Sequence, residues 1–151
     1  INEPYKEVQM EVSTPLFMIG YKDIEGMADK KEIVKKHIAI EILLNMIIGK
    51  SSETYKELYE AGDLLSQPDL DYEFSDEYAH ILISGQSKNP DIVKEKIGNI
   101  VDEFQNKGLN EEHFSRIRSN KIIMCYHNNC RVILLVNFYK EFHKFFCVQT
   151  I

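Results

Sequence analysis

The sequence is poor in the features that mark several classes of protein. It has no tryptophan, only three cysteines and only four prolines in 151 residues. The cysteines, Cys125, Cys130 and Cys147, all lie near the end, so we expect no disulfide framework and a reducing, cytoplasmic location. The longest apolar run there, from Val132 to Val136, is far shorter than the roughly 18 residues of a membrane-spanning helix. No membrane segment is therefore expected.

An excess of positive charge is also missing. The formal net charge is −6 and the pI is about 5.4, which argues against nucleic-acid partners and against anionic membranes. Apolar residues make up 44% and charged residues 28% of the chain, as in ordinary globular domains. Because the sequence begins with Ile1 and shows no signal-peptide pattern, we expect it to be a piece of a longer protein.

Hydrophobic periodicity predicts eight elements in the order ββααββαα. Alternating or continuous apolar stretches predict the strands, and apolar stripes at helical spacing predict the helices. This pattern favours an α+β domain in which an antiparallel sheet has helix pairs packed on one face. We expect the domain to span residues 1–123 and residues 124–151 to form an atypical tail rich in Cys and Phe. The predicted strands are 6–12, 16–21, 71–75 and 78–84, and the predicted helices are 30–48, 53–61, 90–107 and one that follows Asn110.

Short polar motifs predict where the helices begin and end. Gly49 is expected to end the first helix in a left-handed cap, and Ser51 or Ser52 to cap the second. Asn89, followed by Pro90, and Asn110 are expected to cap the last two helices. The second half of the first helix is apolar on most sides, which predicts deep burial, whereas Lys30, Lys31, Glu32, Lys35 and Lys36 are expected to face solvent.

Two groups of residues have the types of side chain that bind zinc. His37 and Glu41 lie one helical turn apart, but without further ligands we expect His37 to be a histidine at the edge of the core. Cys125, His127 and Cys130 are weak candidates, because their spacing fits none of the usual zinc-ligand pairs. We therefore expect no metal and no cofactor in this chain.

Other residues are candidates for contact with a peptide or another domain rather than for chemistry. No Gly-x-Ser-x-Gly motif or nearby catalytic partner supports a serine nucleophile, so no catalytic residue is assigned. The amides at the start of the second helix could face a peptide carbonyl. Aromatic side chains on the predicted strands could add a contact surface, with ordinary sheet packing as the favoured alternative. The candidates are Ser51, Ser52, Tyr55, Phe17, Tyr21, Tyr72 and Phe74.

Several motifs together resemble the pitrilysin/insulinase-type zinc peptidases. The apolar stretches 17–22 and 38–44 resemble an opening strand and a long helix of the noncatalytic second domain in that family. The turn Gly49-Lys50-Ser51-Ser52 and the helix that follows it, the strand at 81–85, and the segment 108–114 resemble later motifs in the same order. The resemblance covers roughly residues 5–123, and the chain departs from the family pattern beyond Lys121.

The resemblance implies a role in proteolysis without the catalytic step. The His-x-x-Glu-His signature of those enzymes is absent from the sequence. The resemblance therefore implies a noncatalytic, peptide-enclosing domain whose partners are a catalytic domain or a paired peptidase subunit and a peptide substrate. Zinc is then expected only in the catalytic domain of the parent protein. The alternative is a stand-alone protein-interaction module without enzymatic activity.

Overall fold

The computed structural model shows a sheet covered by four helices. It describes residues 5–9, 11–23, 30–75, 78–127 and 149–150. Among these residues the elements follow the order βααββααβ, which confirms the α+β class but not the order of every element. They are β1 (Leu16–Asp23), α1 (Lys30–Ile48), α2 (Glu53–Glu60), β2 (Asp69–Phe74), β3 (Ala79–Gln86), α3 (Pro90–Lys107), α4 (Glu111–His127) and β4 (Gln149–Thr150).

The sheet is antiparallel, and its strand order is β2-β3-β1-β4. β1 pairs along its whole length with β3, so Phe17 lies opposite Gly85 and Ile19 opposite Ile83. A Cβ atom at Gly85 would come within 3.2 Å of the Phe17 ring. A glycine at this position therefore lets the aromatic ring lie close against the neighbouring strand.

Helices cover one face of the sheet, and no element among the described residues covers the other. Along β1 the side chains of Phe17 and Ile19 are buried, whereas Leu16 and Met18 are 57% and 69% exposed. This alternation follows from the two-residue period of a strand. The helices therefore lie on one face of the sheet, as the sequence predicts.

α1 is the central helix of this layer and packs against α2, α3, α4 and β2. From Ala39 to Ile48 its apolar side chains are all buried, which confirms the predicted burial of its second half. Val93 and Ile97 of α3 are fully buried in the same core, together with Leu58 of α2 and Phe114 of α4. The four helices and the inner face of the sheet thus share one hydrophobic cluster.

The strand predicted at 6–12 is wrong. The described residues of that segment have no strand partner, and the side chains of Val8 and Val12 are 62% and 46% exposed. Tyr5 lies instead beside α3, with the Lys94 ammonium 5.5 Å from its ring centroid. Alternation alone does not make a strand, because an extended segment becomes one only when another strand offers it backbone hydrogen bonds.

The predicted helix caps are partly correct. Ser52 caps α2, since its hydroxyl accepts a hydrogen bond from the Tyr55 amide at 3.1 Å. Asn110 caps α4 in the same way, through the amide of His113 at 2.9 Å. Asn89 makes no side-chain cap, however, because its amide group donates to Asp63 Oδ1 at 2.7 Å.

Gly49 ends α1 for a different reason from the predicted one. Among the described glycines only Gly62 and Gly108 have a positive φ, so Gly49 is not in a left-handed cap. A Cβ atom at Gly49 would instead lie 2.5 Å from the carbonyl oxygen of Asn45. The chain therefore needs glycine here for close backbone approach rather than for backbone handedness.

No helix in the described part of the chain is long and apolar enough to cross a membrane. The predicted hairpin turn at Asp76 and Glu77 lies outside the described residues. The proposed limit of the domain at residue 123 stays a prediction, although α4 continues to His127 and β4 pairs with β1 at Tyr21 and Lys22.

Candidate functional site

A buried polar cluster joins β1, α1 and β2. The Lys36 ammonium lies 2.6 Å from Asp23 Oδ2, and the two side chains are only 7% and 9% exposed. The Tyr72 hydroxyl donates a hydrogen bond of 2.8 Å to the same carboxylate oxygen. Burial, and then the bond to Asp23, raises the pKa of the Tyr72 hydroxyl well above its usual range. The cluster is thus a charged bridge between three elements in a largely dry environment.

The prediction that Lys36 faces solvent is wrong. Lys36 precedes Ile40 by four residues and Leu43 by seven, which places it on the apolar stripe of α1 rather than on its polar face. This spacing was a usable signal in the sequence. The sequence does not reveal the partners of Lys36, because Asp23 and Tyr72 come together only when β1 and β2 both pair with β3.

His37 lies next to this cluster at the edge of the core. Its ring centroid is 5.8 Å from those of both Tyr72 and Phe74, and its Nε2 atom is 4.0 Å from Glu41 Oε1. The side chains of His37 and Glu41 are each 39% exposed, so this position matches the predicted core-edge histidine. Within the described residues no three His, Cys, Asp or Glu side chains converge as metal ligands would.

The weak zinc candidates cannot be placed as a group. The backbones of Cys125 and His127 belong to the last turns of α4, but their side chains lie outside the described part of the structure, as does all of Cys130. Their role therefore stays a sequence-based prediction.

The structure distributes the candidate contact residues between surface and core. Ser51 and Phe74 are exposed, and Tyr55 is half-buried with its ring stacked on Tyr59 at 5.6 Å between centroids. Ser52 is 1% exposed, because it lies under the start of α2 as its cap. Phe17 and Tyr72 are buried in the core, and Tyr21 packs against it.

The burial of three of these aromatic residues limits which surface they can form. Phe17, Tyr21 and Tyr72 all point from the sheet toward the helices, so they do not make a continuous outer patch. Burial, followed by the nearby charge of Asp102, raises the pKa of the Tyr21 hydroxyl. Phe74, at the end of the edge strand β2, is the aromatic candidate that remains accessible there.

A second half-buried histidine was not singled out by the sequence. His113, at the start of α4, faces Glu53 and Lys56 of α2. Burial, and then the positive charge of Arg116, lowers the pKa of its imidazole. Its Nε2 atom is buried and has no hydrogen-bond partner. His113 thus places a half-buried imidazole near charged side chains of α2, which the hydrophobic pattern does not reveal.

Comparisons with known proteins test the resemblance that the sequence motifs suggest. No family model matches the chain. The curated zinc protease YmfH of Bacillus subtilis, itself uncharacterized, is 29% identical over 96 residues, which are 64% of this chain and 22% of that protein. The chain is related to the pitrilysin/insulinase-type peptidases.

A solved structure shares the fold over a larger part of the chain. The crystal structure of an M16-like peptidase from Alicyclobacillus acidocaldarius superposes with a TM-score of 0.69 and 23% sequence identity. The match covers 89% of this chain and 31% of that one. This pitrilysin/insulinase-related chain therefore spans well under half the length of the proteins that it matches.

Proposed function

We propose that this pitrilysin/insulinase-related chain is a noncatalytic structural domain of a zinc-dependent metallopeptidase and helps to enclose the peptide substrate. The observation that carries the proposal is the fold match, which places 89% of the chain on 31% of an M16-like peptidase. The sequence has no His-x-x-Glu-His motif in which two histidines and a glutamate could hold and use a zinc ion.

The division of labour follows from these two facts. The zinc ion, its bound water and a glutamate base belong to a catalytic domain elsewhere in the parent protein or in a paired subunit. The present domain supplies a rigid wall, because its sheet and helices share one hydrophobic cluster. Its partners are then the catalytic domain or subunit and the enclosed peptide.

The accessible candidate residues suggest where a peptide or neighbouring domain contacts this wall. Phe74 lies at the end of β2, which pairs only with β3 among the described strands, and it is 39% exposed beside His37 of α1. Ser51 and Tyr55 lie at the start of α2. An exposed aromatic ring next to a strand edge is a suitable contact for an extended peptide.

Reconstitution tests this proposal. The 151-residue chain alone should cleave a mixture of quenched fluorescent peptides no faster than buffer, with or without added zinc. Mixed with the domain of its parent that bears the zinc motif, it should restore chelator-sensitive cleavage that neither part has alone. Cleavage by the chain alone would contradict the proposal, as would a mixture no more active than its parts.

A pair of variants tests the contact surface. Phe74→Ala should weaken the restored cleavage several-fold, because it removes the accessible ring beside β2. Ile92→Ala is the matched control, since Ile92 is similarly exposed, at 41%, but lies on α3. Equal effects of the two substitutions would argue against a peptide contact at Phe74.

A further inference from the structure

The sheet face that no described element covers has an amphipathic surface of its own. We call it the open sheet face, formed by the side chains that point away from the helices. On β1 these are the apolar Leu16 and Met18, 57% and 69% exposed, which form an apolar column, followed by Gly20 and the exposed Lys22. On β2 they are the exposed carboxylates Asp69, Asp71 and Glu73.

The strand register sets these two columns side by side. Ser84 of β3 lies between Met18 and Asp69, and Leu82 lies between Gly20 and Asp71. Since neighbouring strands are about 4.8 Å apart, the apolar column on β1 and the acidic column on β2 are roughly 10 Å apart. Gly20, on the same face of β1, is buried. Tyr78, 54% exposed, bounds the face at one end.

The acidic column carries negative charges that a cationic partner can neutralise. Glu73 faces His80, with Oε2 and Nε2 3.3 Å apart, but in the described part of the chain neither Asp69 nor Asp71 has a salt bridge. Carboxylates in a row on one strand repel one another, and a cation placed over them relieves that repulsion. The face therefore favours a partner that is positive along one flank and apolar along the next.

We propose that the open sheet face docks an amphipathic α-helix of a partner polypeptide, with a Lys/Arg flank over Asp69 and Asp71 and an aliphatic stripe over Met18 and Leu82. A helix is about 10 Å wide, which matches the separation of the two columns. This inference does not depend on the proposed role in proteolysis.

Other occupants fit the same face less well. A second copy of the chain, related by a twofold axis along the strands, would place Asp69 and Asp71 of one copy over Met18 and Gly20 of the other. A twofold axis across the strands would place carboxylates on carboxylates. In both arrangements Asp69 and Asp71 face no cation. Membranes with anionic lipids and nucleic acids would be repelled by the same acidic column.

Fluorescence anisotropy tests the proposal with a designed probe. The probe is a labelled 18-residue helical peptide with a leucine stripe flanked by lysines, titrated with the 151-residue chain at low and moderate salt. Binding should weaken as salt rises, because the acidic column is exposed. A peptide with glutamate in place of each lysine should bind at least tenfold more weakly. Equal binding of the two peptides would overturn the proposal.

Matched variants locate the binding surface. Asp69→Asn with Asp71→Asn should weaken binding roughly five- to tenfold at low salt, since two charge pairs are lost. Glu111→Gln with Glu112→Gln removes the same charge from exposed positions on α4 and should change binding less than about twofold. An equal loss of peptide affinity in the two double variants would mean that the attraction is nonspecific, and it would overturn the proposal.

A third comparison tests the apolar column. Met18→Lys should abolish binding of the lysine-flanked peptide, and Ile92→Lys, at an exposed apolar position of α3, should not. Circular dichroism confirms that each variant is folded. Unchanged binding by Met18→Lys, or self-association of the chain in sedimentation in place of peptide binding, would contradict helix docking on this face.

Discussion

At the scale of single residues, the buried bridge between Asp23, Lys36 and Tyr72 is the largest departure from a purely hydrophobic core. Two polar side chains reach one carboxylate oxygen, at 2.6 and 2.8 Å. A buried charge costs free energy unless it is paired, so removal of one partner is more damaging than the net value of the pair suggests. The bridge fixes β1 and β2 relative to α1.

We expect Lys36→Met to destabilise the fold by about 3 kcal/mol, because it removes the ammonium group from a buried carboxylate. Tyr72→Phe should cost about 1–2 kcal/mol through the lost hydrogen bond. The two losses should not add in the double variant, since both act on Asp23. Urea unfolding measures all three free energies.

Lys96→Met is the control for this series. Lys96 forms an exposed pair with Glu57 at 2.8 Å, so its loss should leave the urea midpoint almost unchanged. A shift as large as that of Lys36→Met would contradict the role assigned to burial.

His113 makes the stability of the fold depend on pH. Because its pKa is lowered in the folded protein, the unfolded chain binds the proton more readily. The contribution of His113 is therefore complete above its ordinary pKa of about 6.5 and is lost as the pH falls toward the lowered folded value. His113→Gln should reduce the loss of stability between about pH 7.5 and 5.5.

An NMR titration of the imidazole checks this directly. The midpoint for His113 should lie below the usual value, and Arg116→Gln should move it upward, since the charge of Arg116 is the second cause of the shift. An ordinary midpoint, or equal pH dependence of wild type and His113→Gln, would refute the prediction.

At the scale of elements, two glycines in similar sequence contexts have opposite roles. Gly49 follows α1, where an added Cβ would lie 2.5 Å from the Asn45 carbonyl oxygen and 2.8 Å from its Cα atom. Gly98 lies inside α3, where an added Cβ would meet no atom within 4 Å. One glycine is required by close packing, and the other only weakens its helix.

We therefore expect Gly49→Ala to destabilise the protein by about 1–3 kcal/mol, because the new Cβ atom would clash with backbone atoms that can move only if the end of α1 shifts. Gly98→Ala should stabilise it by about 0.5–1 kcal/mol, since alanine favours the helix and restricts the unfolded chain. Thermal unfolding of the two variants measures both effects. The same sign for both substitutions would contradict this account.

Local chemistry in the sequence was sufficient to predict most elements. The apolar stripe of α1, the Ser52 and Asn110 caps and the strands after Leu16 all depend on neighbours within a few residues. The segment 6–12 and the burial of Lys36 were predicted wrongly, because each depends on distant residues. A strand needs a partner, and a buried lysine needs a carboxylate from another element.

The candidate site shows the same limit. The sequence could name Phe17, Tyr72 and Phe74 as aromatic residues on strands, but only the tertiary arrangement separates the buried rings from the exposed one. The open sheet face could not be predicted either, because its two columns come from β1 and β2, which are adjacent to the same strand but about 50 residues apart.

At the scale of the whole molecule, the chain and the solved structure that superposes on it have the same architecture. The sheet, its single layer of helices and the superposition on an M16-like peptidase all describe one α+β architecture. One face of the sheet packs against the helices, and the other face, as far as the chain is described, carries exposed side chains.

The position of β1 between β3 and β4 has a consequence for biosynthesis. β1 leaves the ribosome before its partner strand β3, whose paired residues begin at Ala79 and end at Gln86. Until those residues are made, the nascent chain holds an unpaired strand and the very apolar helix α1 with little to cover them. An unpaired strand followed by an apolar helix favours aggregation, so this early segment is protected from other chains only after β3 has been made.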